Sequence, residues 1–71
     1  MRYMIVIERT RTGFSAYSPD IEGCVATART RRSVVSAMQK AVEFHLDGMR
    51  RQGRRWPVAT SDFAFVEVPR G

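Results

Sequence analysis

The sequence predicts a small α+β domain whose elements follow the order β-β-β-α-β. Two observations carry this prediction. Apolar residues before residue 30 alternate with a period of two, which is typical of strands, whereas later ones recur with spacings of three and four, which is typical of an amphipathic helix. The chain has 71 residues, so we expect one domain over residues 1–71. A single core of this size gives marginal stability, and self-association is expected to add to it.

The first half of the chain is predicted to fold as an antiparallel meander. Its strands are expected at residues 2–9, 14–18 and 23–28, with a hairpin turn at residues 10–13 between the first two. A tight turn joins the second strand to the third, because Pro19 has a fixed φ, Asp20 is an Asx-type acceptor and Gly23 tolerates a positive φ. The chain must therefore stop and reverse between residues 18 and 23.

A single helix is predicted over residues 31–52. Thr30 stands at the N-cap position, and Gly53 follows the last helical residue, where a positive φ is needed. One stripe of the helix is expected to face the sheet; its members are Val34, Val35, Met38, Ala41, Val42, His45, Leu46 and Met49. On the opposite, solvated side, Asp47 is expected to pair with Arg51 one turn later.

A last strand is predicted at residues 62–68, after a loop over residues 54–61. Only one helix is available to cover the sheet, yet the first and last strands carry apolar residues on both faces. The uncovered faces would form a patch too large for a typical monomer. We therefore expect a homodimer or a higher assembly, built through sheet faces or edge strands.

Cysteine and histidine usage excludes several classes of protein. Cys24 is the only cysteine and His45 the only histidine, so neither a disulfide framework nor a zinc site is expected. We interpret both side chains as packed residues, and we expect no cofactor. No apolar run approaches membrane-spanning length, and the N-terminus passes directly into a strand pattern. These features predict a cytoplasmic protein that does not interact with membranes.

The acidic residues do not predict catalysis. A metal-dependent nuclease needs several carboxylates that converge on divalent cations. Among the seven acidic residues, only Glu43 and Asp47 are brought together by their spacing, and both lie on the helix side that faces away from the sheet. We therefore predict that the protein is not an enzyme.

The positive charge is concentrated in arginines at the two ends of the helix. The formal net charge is +5. The N-terminal arginine cluster comprises Arg29, Arg31 and Arg32, and the C-terminal arginine cluster comprises Arg50, Arg51, Arg54 and Arg55. The latter, with Trp56, is predicted to bind a partner. Trp56 has two interpretations: it folds back as a cap on the core or contacts a dimer partner, or it stacks on a nucleic-acid base.

The turn region and the second half of the helix resemble the HicB-like antitoxin family. The matching positions are Tyr17, Pro19, Asp20, Gly23 and Cys24 in the turn region and Glu43, His45, Leu46 and Gly48 on the helix. The resemblance implies a partial RNase H-like fold with the element order predicted above. One departure concerns charge, since Arg31 and Arg32 occupy a first helical turn that is usually acidic in this family and is disfavoured for cations by the helix dipole.

The resemblance also implies a function. Family members are non-enzymatic antitoxins of type II toxin–antitoxin systems that bind and occlude a small HicA-like toxin, which cleaves mRNA. Many carry a C-terminal DNA-binding segment, and none is expected here because the sequence ends at Gly71. The alternative from charge alone is a small basic module that binds RNA or DNA through its arginine clusters.

Overall fold

The structure, a computed structural model, describes residues 1–70. Its elements are β1 (Val6–Arg9), β2 (Phe14–Tyr17), β3 (Val25–Ala28) and α1 (Arg31–Arg51). The strands form one antiparallel sheet in the order β1-β2-β3. The predicted α+β class, with a meander followed by one helix, is confirmed. Gly71, the last residue of the predicted domain, lies outside the described residues.

The register of the meander separates the sheet into two faces. Ile7 pairs with Ala16, and Ala16 pairs with Ala26, so these three residues form a row across the sheet. Ala16 is buried in the core, which places this row under the helix. The opposite face, called the open face below, carries the alternate residues: Val6, Glu8, Ser15, Tyr17, Val25 and Thr27.

The hairpin between β1 and β2 depends on glycine. The Thr10 amide donates to the Gly13 carbonyl oxygen at 2.9 Å, and the Gly13 amide donates to the Thr10 hydroxyl at 3.0 Å. A Cβ atom at residue 13 would overlap the carbonyl oxygen of Ala28 and approach the Cα atom of Arg29 to 2.8 Å. The end of β3 therefore packs against the hairpin at a distance that only glycine permits.

Helix α1 covers the sheet mainly over β2 and β3. The buried core consists of Ala16, Ile21, Cys24, Val34, Met38, Leu46 and Met49. Most of the predicted helical stripe is buried or half-buried, but Val35 is exposed. The sheet has only three short strands, so it shields a narrower stripe than the sequence pattern suggests. For the same reason β1 is the least covered strand, and Ile5 and Ile7 are only half-buried.

Both predicted helix ends are confirmed. The Ser33 amide donates to the Thr30 hydroxyl at 3.0 Å, and the Thr30 amide donates to the Ser33 hydroxyl at 3.2 Å, which forms a capping box. At the other end Gly53 has a φ of 70°. Its amide donates to Arg50, and the Arg54 amide donates to Met49, which is the hydrogen-bond pattern of a Schellman motif.

The first strand is shorter than predicted. It begins at Val6 rather than at residue 2, because its partner β2 ends at Tyr17, directly opposite Val6. Beyond that pair, the Ser18 hydroxyl donates to the Met4 carbonyl oxygen at 3.0 Å and takes the place of a ladder bond. The predicted third strand is shortened in the same way, and it begins at Val25 after the turn.

The predicted last strand at residues 62–68 is not formed within the chain. Residues 54–70 belong to neither a helix nor a strand, and residues 58–70, called the C-terminal arm below, are exposed throughout. A strand needs a neighbour for its backbone hydrogen bonds, and no strand among residues 1–70 pairs with this segment. The implied partial RNase H-like order, which requires this strand, stays a prediction.

The arm makes the molecule elongated. The radius of gyration of the Cα atoms is 14.4 Å, and the longest extent is 53 Å. A compact chain of this length has a radius of gyration of about 11 Å. The difference shows that the arm projects from a compact body.

Candidate protein interface

Two hydrogen bonds fix the base of the C-terminal arm to the body. The indole Nε1–H of Trp56 donates to the Leu46 carbonyl oxygen at 3.0 Å, near the end of α1. The Tyr3 hydroxyl donates to the Pro57 carbonyl oxygen at 2.7 Å. Trp56 thus folds back against the helix, the first of its two predicted interpretations, although its side chain stays partly exposed. These contacts fix where the arm leaves the body.

Asp20 holds the next part of the arm. Its carboxylate accepts from the Ser61 hydroxyl at 2.8 Å, the Ser61 amide at 3.1 Å and the Thr60 hydroxyl at 3.2 Å. The hydrogen bonds from Ser61, followed by that from Thr60, lower the pKa of Asp20 below its ordinary value. The predicted role of Asp20 as an acceptor within its own turn is therefore wrong. The Asp20 carboxylate binds the arm instead.

The turn between β2 and β3 is closed by backbone groups. The Ser18 amide donates to Cys24, the Ile21 amide to Ser18 and the Cys24 amide to Ile21, each at 3.3 Å. Gly23 has a φ of 78°, as predicted for this turn. Because the backbone closes the turn alone, the Asp20 side chain is free to bind the arm.

Beyond Ser61 the arm exposes large apolar side chains. The exposed fractions are 70% for Phe63, 92% for Phe65, 82% for Val66 and 78% for Val68. The rings of Phe63 and Phe65 contact each other edge to face, with centroids 5.9 Å apart. Several large apolar side chains exposed along one short segment mark a candidate interaction site.

A groove lies between the arm and strand β1. It has a volume of about 870 Å³, and its walls are formed by Met4, Ile5, Val6, Ile7, Arg9, Phe14, Arg31, Phe63 and Phe65. Strand β1 pairs only with β2 among the described residues, so the backbone groups along its outer edge face this groove without a strand partner. The groove, called the edge groove below, therefore combines an apolar lining with an open sheet edge.

The arginine clusters lie at opposite ends of α1. The helix has 21 residues, which separates its ends by roughly 30 Å at ~1.5 Å per residue. In the C-terminal arginine cluster, Arg50 and Arg51 bind the Asp47 carboxylate at 2.8 and 3.0 Å, and the hydrogen bond from Arg50 lowers the pKa of Asp47. The predicted pairing of Asp47 with Arg51 is confirmed. Arg54 and Arg55 are exposed beside Trp56.

The remaining predicted site residues surround the turn. Cys24 is buried, and this burial raises the pKa of its thiol. His45 is half-buried and lines a cavity of about 430 Å³ together with Asp20 and Glu22 from the turn and Arg54 from the helix end. Tyr17 and Pro19 are exposed at the end of β2. The fold thus brings Asp20 and His45 to one cavity, although they are 25 residues apart in the sequence.

Sequence reasoning missed Tyr3, Thr60 and Ser61 as residues that position the arm. Their partners lie 54, 40 and 41 residues away along the chain. No local spacing signals such a contact. Among residues 1–70 the structure holds no helix long and apolar enough to cross a membrane, and no group of three or more potential metal ligands.

Comparison with known proteins identifies the family. The model of the HicB-like antitoxin of bacterial toxin–antitoxin systems matches residues 3–68. This match covers nearly the whole chain and includes most of the C-terminal arm. The protein therefore belongs to the HicB-like antitoxin family.

A solved structure and a curated protein are similar to this chain. A chain of a HicA3 and HicB3 toxin–antitoxin complex matches with a TM-score of 0.67 and 29% identity, covering 83% of this chain and 72% of that one. A 14.9 kDa uncharacterized protein from the rep–hol intergenic region of Haemophilus phage HP1 is 26% identical over 69 residues. This alignment covers 97% of the present chain but only 52% of the phage protein. The absence of a DNA-binding segment therefore stays a prediction.

Proposed function

We propose that the protein is a non-enzymatic antitoxin that binds a small HicA-like, mRNA-cleaving toxin in the cytoplasm and occludes it. The observation that carries this proposal is the likeness to a chain from a toxin–antitoxin complex, at 29% identity over most of the present chain. Membership of the antitoxin family supports the same role. Inhibition would be steric, because the antitoxin covers the surface on which the toxin holds RNA.

The open face of the sheet is the surface best suited to this toxin. Tyr17 and Val25 are neighbours on it and are exposed by 41% and 66%. The only charged strand residue on this face is Glu8, whereas arginines lie at both ends of the helix. A toxin that holds RNA carries positive charge, so a face with apolar and acidic groups complements it better than an arginine cluster does.

Inhibition of mRNA cleavage tests the proposed function. A purified HicA-like toxin from the source organism should cleave a reporter mRNA, and an equimolar amount of this protein should suppress the cleavage. Val25→Lys places a cation on the open face and should weaken inhibition roughly tenfold or more, which corresponds to about 1.4 kcal/mol. The matched control is Phe44→Lys, because Phe44 is exposed by 82% on the outer side of the helix.

The outcomes separate the function from the surface. Full cleavage in a molar excess of the wild-type protein would overturn the antitoxin proposal for this toxin. Inhibition that is equally strong for wild type, Val25→Lys and Phe44→Lys would retain the function and exclude the open face as the contact surface.

The alternative function, binding of RNA or DNA, has one supporting observation. Arg54 and Arg55 are exposed next to the partly exposed Trp56. However, Asp47 already binds Arg50 and Arg51. Nucleic-acid affinity through this cluster should fall log-linearly with salt, and replacing all four arginines by alanine should abolish it. Affinity that survives this replacement would exclude the cluster as the binding site.

A further inference from the structure

We propose that residues 62–68 of each C-terminal arm add as a strand to the free edge of β1 in a second copy of the chain. Two chains would exchange arms around a two-fold axis. The proposal concerns self-assembly and does not depend on the toxin.

Each chain offers both halves of this contact and satisfies neither by itself. The arm segment Asp-Phe-Ala-Phe-Val-Glu-Val is rich in residues that favour strands, yet it pairs with no strand among residues 1–70. The outer edge of β1 is equally unpaired. An extended segment that joins an exposed sheet edge is a common mode of recognition, because main-chain hydrogen bonds supply affinity and alternate side chains supply specificity.

The geometry favours exchange over closure within one chain. Tyr3 holds Pro57, directly before the arm, and Asp20 holds Ser61 within the arm. The edge groove then separates Phe63 and Phe65 from β1. A groove of about 870 Å³ leaves room for another strand between them. With the arm of the second copy in the groove, the strands follow one another across the two-fold axis in a fixed order. This order is β1 of the first chain, the arm of the second chain, the arm of the first chain and β1 of the second chain. Both arms gain neighbours on both sides, and the sheet has eight strands.

The apolar area is sufficient for a stable dimer. Phe63, Phe65, Val66 and Val68 are each at least 70% exposed. A phenylalanine alone buries on the order of 150–200 Å². Two arms, together with the groove walls that receive them, therefore reach the approximate range of 1,200–2,000 Å² that specific interfaces bury.

Charge identifies a second copy as the occupant. The arm carries Asp62 and Glu67, whereas the groove walls carry Arg9 and Arg31. A chain with a net charge of +5 repels its own copy at long range. The acidic residues of segment 62–68 and the basic residues of the groove make this pair of surfaces complementary despite that repulsion.

A charge exchange between two variants tests the proposal. One variant, Arg9→Glu with Arg31→Glu, makes the groove acidic, and the other, Asp62→Arg with Glu67→Arg, makes the arm basic. In a homodimer of either variant, both contacts between an arm and a groove then bring like charges together. In the mixed dimer, by contrast, each arm enters a groove of opposite charge. Light scattering coupled to gel filtration of the full chain, at micromolar concentration, measures the assembly.

We expect a dimer for the wild type, at least a tenfold weaker dimer for each variant alone, and recovery of the dimer in the equimolar mixture. Circular dichroism should show the same helix content in all samples. A monomeric wild type, variants that dimerise as well as the wild type, or a mixture that stays monomeric would each overturn the proposal. A contact within one chain cannot be rescued by mixing, which makes the mixture the decisive sample.

A second measurement tests strand addition itself. Hydrogen exchange of the amides of residues 63–68 should be at least a hundredfold slower in the dimer than in the monomeric variant Phe65→Asp, because ladder hydrogen bonds protect them. Phe44→Asp, with a similarly exposed aromatic side chain on the helix, should remain dimeric and retain this protection. Unprotected arm amides in the wild-type dimer would contradict strand addition.

Discussion

The hairpin of β1 and β2 and the C-terminal arm have similar sequence patterns but different fates. Both regions alternate β-favouring residues, and the arm contains more phenylalanine and valine than either strand of the hairpin. The hairpin closes through a turn of a few residues, so its strands meet at small entropic cost. The arm follows a long helix and, in the part of the chain that the structure describes, pairs with no strand. Intrinsic preference thus becomes a strand only where the fold supplies a neighbour.

The body and the arm also differ in how they are held. The body is stabilised by a buried cluster in which Ile21, Val34 and Met38 are fully shielded from solvent. The arm is held at its base by hydrogen bonds that Tyr3 and Trp56 donate and that the Asp20 carboxylate accepts, and its apolar residues face solvent. Substitutions in the two regions should therefore affect different observables.

The largest expected effect belongs to the core. Ile21→Ala should lower the free energy of unfolding by about 2–5 kcal/mol, because it removes a fully buried side chain and leaves a cavity. Urea denaturation at fixed protein concentration measures the change. Phe44→Ala is the control, with an expected change within about 0.5 kcal/mol since Phe44 is exposed. Equal effects of the two variants would contradict the assignment of the core.

Two glycines provide the next comparison. Gly13→Ala should destabilise the body by about 1–3 kcal/mol, because its Cβ overlaps the end of β3. Gly48→Ala should stabilise it by about 0.5–1 kcal/mol, since Gly48 lies in the helix with no atom near its Cβ position. In thermal unfolding, the midpoint temperature should be lower than that of the wild type for Gly13→Ala and higher for Gly48→Ala. A neutral Gly13→Ala variant would exclude close packing of β3 on the hairpin.

A smaller effect is expected at the base of the arm. Trp56→Phe retains an aromatic ring but removes the hydrogen bond to Leu46, which should cost about 1 kcal/mol. Hydrogen exchange should show faster opening of residues 56–61 with little change in the core of α1. Arg55→Ala is the neighbouring control, because no hydrogen bond of this side chain holds the arm in the described residues. Equal exchange in both variants would contradict the role of the indole.

The contact of Asp20 with the arm should depend on pH. The pKa of Asp20 is lowered in the folded protein, so the stability that this contact contributes is present above the unfolded pKa of about 3.9 and is lost as the pH falls through the lower folded value. The Ser61 amide resonance should report this transition in an NMR titration. The Asp20→Asn variant should show no such transition. A transition midpoint above about 3.9 in the wild type would contradict the hydrogen bonds from Ser61.

Most of the fold was predictable because it depends on local interactions. The alternation around Gly13 and Gly23 indicates the meander, and Thr30 and Gly53 mark the ends of α1 within a residue or two. Caps, turns and the pairing of Asp47 with Arg51 involve groups at most a few residues apart. The resemblance carried by the turn and helix residues likewise indicated the antitoxin family that the comparison confirms.

The candidate interface was only partly predictable. The amino-acid pattern indicates that apolar faces need another chain, but it assigns residues 62–68 to the sheet of the same chain. It also gives Asp20 a partner within its own turn. In the structure the Asp20 carboxylate binds Ser61, 41 residues away, and the arm lies beside an open edge of β1.

The sequence by itself determined the meander, the helix and its caps, the buried stripe and the family, because these depend on spacing, turn chemistry and local hydrogen bonds. Only the tertiary structure decided where the arm leaves the body, which side chains hold it and that β1 keeps a free edge. The physical reason is that a strand and a long-range hydrogen bond are completed by a distant partner. Whether that partner is present depends on how the whole chain packs.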